Sequence, residues 1–181
     1  SLCNRLAAEW FAYADARIDD GLRRWMAAMP LHLTFEMSGR RVRVVHGAVT
    51  SINRFMFASL PDNDFEEEMR VADADMVIAG HSGIPFTRRT GNRLWHNSGS
   101  LGSILYPDPA GIGIHHFSLD YDHESAAAKM RTEGVCLEYA DALVSGLWPS
   151  LDILPDSERS ATGLPLDTGR EISWEPDAAI A

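Results

Sequence analysis

Apolar residues recur along this chain with two different periods, and the switches between them mark out its elements. Over residues 31–46 the period is two. Leu31, Leu33, Phe35 and Met37 alternate with polar or smaller residues, Ser38-Gly39 turns, and Val42 and Val44 alternate with Arg41 and Arg43 up to Val45-His46. The pattern predicts a β-hairpin. Before it, residues 21–29 read as a short amphipathic helix, capped by Asp19 or Asp20 and ended by Pro30, after a mixed segment from Ser1 to Asp20. Residues 47–62 read as a loop with a short helix around Phe55-Met56-Phe57. Asn63 or Asp64 caps a helix through Glu66-Glu67-Glu68-Met69, whose three glutamates read as a solvated face and whose acidic first turn suits the helix dipole.

The next stretch organises the rest. Met76-Val77-Ile78-Ala79 is an apolar run of the length and branching of a buried strand. It stops at Gly80-His81-Ser82-Gly83, where two glycines let the backbone turn sharply and set an imidazole at a strand end. Pro85-Phe86-Thr87 restarts an extended segment, Thr90-Gly91-Asn92 is turn chemistry, and Arg93-Leu94-Trp95-His96 returns. That strand ends in a second small polar loop, Asn97-Ser98-Gly99-Ser100. Downstream, a strand is expected over residues 113–119, with His115 and His116 on opposite faces. Helices are expected over 124–131, stopped near Gly134, and over 136–144. From Gly146 on periodicity fades, and residues 147–181 read as an extended tail held by Leu147, Trp148 and Leu151.

At 181 residues and 45% apolar content, the chain has the material for one packed domain. The net charge of −10, with no Lys/Arg cluster, argues against a nucleic-acid surface. The two cysteines, Cys3 and Cys136, are far apart and lack metal-type spacing, so free thiols in a reducing compartment are expected. No apolar run approaches the roughly 18 residues of a membrane span. No basic-then-apolar leader precedes the first helix, so a cytoplasmic protein is the expectation. The five Trp read as core and rim.

Gly80-His81-Ser82-Gly83-Ile84-Pro85-Phe86, followed by Asn97-Ser98-Gly99-Ser100, resembles the C-terminal signature of calcineurin-like metallophosphoesterases, roughly GHTHxPF and then NPGSxG after a hairpin. Val44-Val45-His46-Gly47 is similar to the same family's strand-then-HG motif. The resemblance spans residues 22–146 and implies a metallophosphoesterase-like domain over 1–146, followed by the tail. The implied fold is α/β, the C-terminal part of a sandwich of two mixed sheets flanked by helices, with metals at the strand C-ends.

The resemblance also implies a function: metal-dependent hydrolysis of a small-molecule phosphoester, a phosphomonoester or a phosphodiester, at a binuclear site of Mn, Fe or Zn. It makes His46 and His81 metal ligands. Gly83 stands where the family has its second GHxH histidine, so one of up to two ions lacks a ligand here. His96 is open to two readings, a replacement ligand or a histidine satisfied in the core. Asn97 either orients substrate or a ligand, or supports its turn. Of Arg88 and Arg89, one faces the site and grips phosphate bidentately, Arg88 being the first choice; otherwise both belong to a solvated strand edge. The family's N-terminal motifs, roughly DxHGN, GDxxD and GNHD, do not occur. The alternative is therefore a degenerate, non-catalytic scaffold or partner-binding module of the same fold, and a one-metal enzyme is a third reading. Ser103-Ile104-Leu105-Tyr106 directly after Gly102 looks like the end of a strand without its beginning. Because a three- or four-residue strand pairs poorly, a segment is expected to be missing between Gly102 and Ser103, as before Ser1.

Overall fold

A computed structural model of the protein describes residues 1–100, 102–167, 169 and 171–175. In chain order the elements are helices α1 (Leu2–Asp15) and α2 (Asp20–Ala27), strands β1 (Leu33–Met37) and β2 (Arg40–Val44), helix α3 (Asp62–Ala72), and strands β3 (Met76–Ala79), β4 (Phe86–Thr90), β5 (Arg93–Asn97), β6 (Gly102–Asp108) and β7 (Gly111–Phe117). Helices α4 (His123–Glu133), α5 (Leu137–Ser145) and α6 (Asp156–Ser160) and strand β8 (Glu171–Trp174) complete the chain. They form two compact units, one of residues 1–29 with 120–165, the other of residues 30–119 with those from 166 on.

The first unit is helical. Asp19 caps α2 by accepting the Leu22 N–H at 2.8 Å, and Asp122 caps α4 by accepting the Ser125 N–H at 2.9 Å. Gly134 ends α4 in the left-handed conformation that the glycine there suggests. The mixed segment from Ser1 is corrected to the 14-residue helix α1. Its Ser1 hydroxyl accepts the Asn4 N–H, and Leu6 packs with Val135 and Cys136 in the unit's small core. Both cysteines are free, and burial pushes the Cys136 thiol up, the nearby carboxylates of Glu9 and Glu138 adding to the effect.

The second unit is a mixed α/β structure with two sheets. The larger sheet has the order β1-β2-β3-β5-β4, in which β2, β3 and β5 are parallel and the two edge strands antiparallel. The β2–α3–β3 crossover follows from parallel pairing, which a tight turn cannot connect. The smaller sheet, β6-β7-β8, is antiparallel throughout. Alternation in the strands gives each sheet an inner face. Val42, Met76 and Leu94 of the first meet Ile112, Ile114 and Trp174 of the second. On the outer face of the larger sheet, Val77, Ala79 and Trp95 pack under Phe65, Met69 and Ala72 of α3. Trp95 is fully buried, with its ring edge-on to Phe65 at 5.7 Å. The expected α/β class, with two sheets flanked by helix, is the fold observed.

Three expectations need correction. Strand β6 runs unbroken through Gly102-Ser103, opposite Phe117 and His116 in consecutive register, and is seven residues long. Pro107 does not cut it short, because an edge strand has no partner on its open side for the N–H that proline lacks. No helix forms around Phe55-Met56-Phe57, where Met56 and Phe57 are buried from an irregular loop. The expected extended tail contains a 3₁₀ turn at Leu151–Ile153, α6 and β8, and β8 puts the fully buried Trp174 into the inter-sheet core.

Candidate functional site

Because β2, β3 and β5 are parallel, their C-terminal ends lie along one edge of the sheet. His46 follows β2, His81 follows β3, and Asn97 ends β5. Past the ends of the strands the ladder persists as a tie between the loops: the Val45 N–H donates to Ile78 O at 2.9 Å and the Gly80 N–H to His46 O at 2.8 Å. The backbone thus brings the two imidazoles together, with His46 Nε2 and His81 Nδ1 3.0 Å apart.

His81 reaches this position through a left-handed backbone, φ 64°. That conformation is uncommon for a residue with a Cβ, is more accessible to His than to branched residues, and costs about 1–3 kcal/mol. The ring of Phe55 stacks on that of His81 at 4.2 Å and 17°. Burial, and then the neighbouring His46, push the His81 pKa down, opposed by a hydrogen bond with the backbone of Asn53. The loop carrying Asn53 and Phe55 is held in turn by Glu68 on α3. This fully buried carboxylate accepts from Val49 N at 2.7 Å, Thr50 N at 2.9 Å, the Thr50 hydroxyl and Arg54 Nη1 at 2.9 Å.

Glycine matters at the root of that loop. A Cβ on Gly47 would stand 2.4 Å from Ile52 O and 2.9 Å from Arg54 O, both backbone atoms that cannot swing away. Gly47→Ala is expected to cost about 1–3 kcal/mol in unfolding free energy, measured by urea denaturation. A change below a few tenths would show that the loop relaxes freely.

Asn97 is buried and fully engaged. Its amide donates to Gly80 O at 2.8 Å and Ser82 Oγ at 2.9 Å, and its carbonyl accepts the Gly99 N–H at 2.9 Å. It ties the two glycine loops together, which is the turn-supporting reading of this residue. Arg88 does not extend toward the histidine pair. Its guanidinium donates to Ala58 O, Leu60 O and Asp62 and lies over the Phe65 ring at 4.4 Å. The reason is register: Arg88 lies on the same face as Phe86, the face covered by α3. Gly83 has φ 74°, and its carbonyl accepts the Ser100 N–H at 3.0 Å, so a side chain there would be strained.

His96 resolves to the core reading. It points to the face opposite Asn97, between the sheets, with Nδ1 3.0 Å from Thr87 Oγ1 and its ring 5.0 Å from that of His116. Burial and then the nearby His116 lower its pKa from 6.5 to about 4. The unfolded state therefore binds one more proton between these values, and stability rises with pH across that window. The contribution is present in full above pH 6.5 and is lost as pH falls toward 4. At 1.36 kcal/mol per unit, it amounts to about 3 kcal/mol. Urea midpoints measured from pH 7.5 to 4.5 should fall accordingly, and His96→Leu should flatten the profile. An unchanged slope in that variant would assign the acid sensitivity elsewhere.

Among the described residues no group of three or more His, Cys, Asp or Glu is placed to hold a metal ion. Two nitrogens bound to one ion at 2.0–2.1 Å lie about 2.9 Å apart at a right angle and about 3.3 Å apart at the tetrahedral angle. The observed 3.0 Å between His46 and His81 suits two adjacent ligands of a single ion. The described residues fit that part of a metal site and not the whole of a binuclear one.

No protein-family model and no curated protein match the chain. Solved structures do. A metallophosphoesterase from Sphaerobacter thermophilus superposes with a TM-score of 0.59 at 14% identity, over 75% of this chain and 67% of the other. A hypothetical protein from Pyrococcus horikoshii superposes with a TM-score of 0.58 at 16% identity, over 68% of this chain and 53% of the other. The fold is of the metallophosphoesterase type. The chain spans between half and two thirds of the length of these two structures.

Two features of the site escaped the sequence reading. Glu68 belongs to a run of three glutamates that reads as solvated, although the helix period places it on the face of Phe65, Met69 and Ala72. Phe55 carried no sequence signal, because its contact with His81 joins residues 26 positions apart across an irregular loop.

Proposed function

We propose that the protein is a metal-dependent phosphoester hydrolase, acting on a small-molecule phosphomonoester or phosphodiester, with His46 and His81 as metal ligands. The observation that carries this reading is the convergence of the two ring nitrogens to 3.0 Å at the C-terminal edge of parallel strands. Edges of this kind commonly hold ligands, and the fold is one in which a metallophosphoesterase is found. A bound divalent ion (Mn, Fe or Zn) supplies charge stabilisation at the phosphoryl oxygens and an acidified water. The chain's own contribution is to hold the imidazoles in position, with burial lowering the pKa of His81. The parallel ladder sets their separation, the Glu68-anchored loop places Phe55 against one face of His81, and Asn97 fixes both glycine loops. Among the described residues no helix is long and apolar enough to cross a membrane. A cytoplasmic location is part of the proposal and rests on the free thiols expected of Cys3 and Cys136.

A second reading, a partner-binding scaffold of the same fold, is favoured by one observation: the described residues supply fewer than the three protein ligands usual for a catalytic ion. Metal content separates the two. The protein is dialysed against Mn²⁺ or Zn²⁺, its metal measured by plasma emission, and hydrolysis of p-nitrophenyl phosphate and bis-p-nitrophenyl phosphate is followed. One or two ions per chain with turnover support the hydrolase. A folded protein that retains no metal and turns over neither probe supports the scaffold.

A further inference from the structure

The inner faces of the two sheets are apolar over most of their area but turn polar toward β4. By the register Thr87–His96 and Arg89–Leu94, Thr87 and Arg89 share the inward face of β4 with Leu94 and His96 of β5. His116 of β7 reaches in from the smaller sheet, 4% exposed, with Nδ1 3.1 Å from Ser103 Oγ. A sandwich interior gains nothing by desolvating two imidazoles and two hydroxyls where aliphatic side chains would pack. Part of this polar surface, Thr87, Arg89 and His116, borders a cavity of about 200 Å³ that is also lined by Asp167, Leu94, Ile172 and Trp174.

Two buried groups in this region lack a partner among the described residues: the indole N–H of Trp174, which lines the cavity, and Nε2 of His96, whose ring touches that of His116. Native interiors rarely leave such groups unpaired without a water, ion or ligand to meet them. At roughly 30 Å³ per water, the cavity has room for a small organic molecule. It is smaller than the 300–1,000 Å³ usual for drug-sized ligands.

We propose that this cavity is a binding site for a compact aromatic or branched monocarboxylate. Arg89 grips the carboxylate with its planar fork, the arrangement in which guanidinium and carboxylate match best. The apolar body lies against Leu94 and Ile172, and the Trp174 indole N–H and the Thr87 hydroxyl complete the polar edge around the carboxylate. Asp167 also lines the cavity, and like-charge repulsion from its carboxylate is about twice as large for a dianion as for a monoanion, which disfavours phosphate. The cavity is built on the inner face of the sandwich and uses neither His46 nor His81. It is therefore independent of the hydrolase reading.

The test is an NMR titration of ¹⁵N-labelled protein with benzoate and, separately, with inorganic phosphate. The five indole N–H signals are watched, that of Trp174 being assigned by Trp174→Phe. Benzoate should move the Trp174 signal saturably, and phosphate at equal concentration should move it little. Arg89→Gln removes an exposed guanidinium whose Nη2 donates to Glu175 O at 3.2 Å, a surface contact whose loss should leave the protein folded; it should weaken benzoate binding at least ten-fold. His81→Gly should leave binding unchanged, which separates this site from the strand-end histidines. A Trp174 signal that does not respond, a response indifferent to Arg89→Gln, or an equal response to phosphate would each overturn the proposal.

Discussion

Glu68→Ala is expected to lower the unfolding free energy by about 3–5 kcal/mol. Every contact of the Glu68 carboxylate is with a donor: Val49 N–H, Thr50 N–H, the Thr50 hydroxyl and the Arg54 guanidinium. The side chain is fully buried, and that of Arg54 is 32% exposed. Removing the acceptor therefore strands two backbone N–H groups and a partly buried cation, and the cost is the desolvation penalty of groups left without partners. Arg54 keeps its second partner, Asp64, which prevents a larger loss. Glu68→Gln preserves the shape but turns an NH₂ group toward donors, so it should recover only part of the stability. Glu66→Ala and Glu67→Ala, on the solvated side of the same helix, should stay within about 0.5 kcal/mol of the parent. Urea denaturation of the four variants reads this directly. A Glu68→Ala cost equal to that of Glu66→Ala would mean that the loop finds other acceptors. Because that loop carries Asn53 and Phe55 to His81, the same variant should also broaden the His81 ring signals before global unfolding.

The strands and the histidine pair were legible in the sequence because each depends on local order. Alternation defines β1 and β2, a branched apolar run defines β3, and glycines on both sides of His81 announce a turn at a strand end. Parallel pairing then makes the convergence of His46 and His81 a consequence of topology. What was not legible depends on contacts distant in sequence. Helix α1 was obscured because Trp10, Phe11 and its alanines spread around the helix, so that only Leu6 is fully buried and no clean stripe appears. Strand β8 alternates Ile172 and Trp174 with Glu171 and Ser173 over only four residues, too few to register without its partner β7. Arg88 looked available for phosphate because nothing nearby in the sequence pairs with it. Its acceptors are the carbonyls of Ala58 and Leu60, in the loop before α3, and the carboxylate of Asp62 in the first turn of α3. Glu68 shows the opposite failure: the helical period pointed it inward, and its membership of a run of three glutamates concealed this.

His81→Gly is expected to separate fold from function most sharply. On stability, three effects nearly cancel. Glycine relieves the left-handed strain at φ 64°, a gain of about 1 kcal/mol. It forfeits the stacking of Phe55, worth about 0.5–1.5 kcal/mol, and the hydrogen bond to His46, worth about 0.5–1.5 kcal/mol. The net change should lie within about 2 kcal/mol of zero, so the variant remains folded. Metal affinity should behave differently. Four-ligand zinc sites bind with about 10–16 kcal/mol, or about 2.5–4 kcal/mol per ligand. Loss of one imidazole should therefore weaken binding about a hundred- to a thousand-fold. His46→Ala should match it in affinity and, keeping both the strain at residue 81 and the Phe55 stack on His81, lie within about 1 kcal/mol of it in stability. Isothermal titration with Zn²⁺ and urea denaturation of both variants supply the numbers. If His81→Gly binds zinc as tightly as the parent protein, the strained histidine is not a ligand and the hydrolase reading falls with it. If affinity collapses while stability holds, the strain at residue 81 is retained for the ion and not for the fold, as expected where a binding site sets the backbone against its own preference.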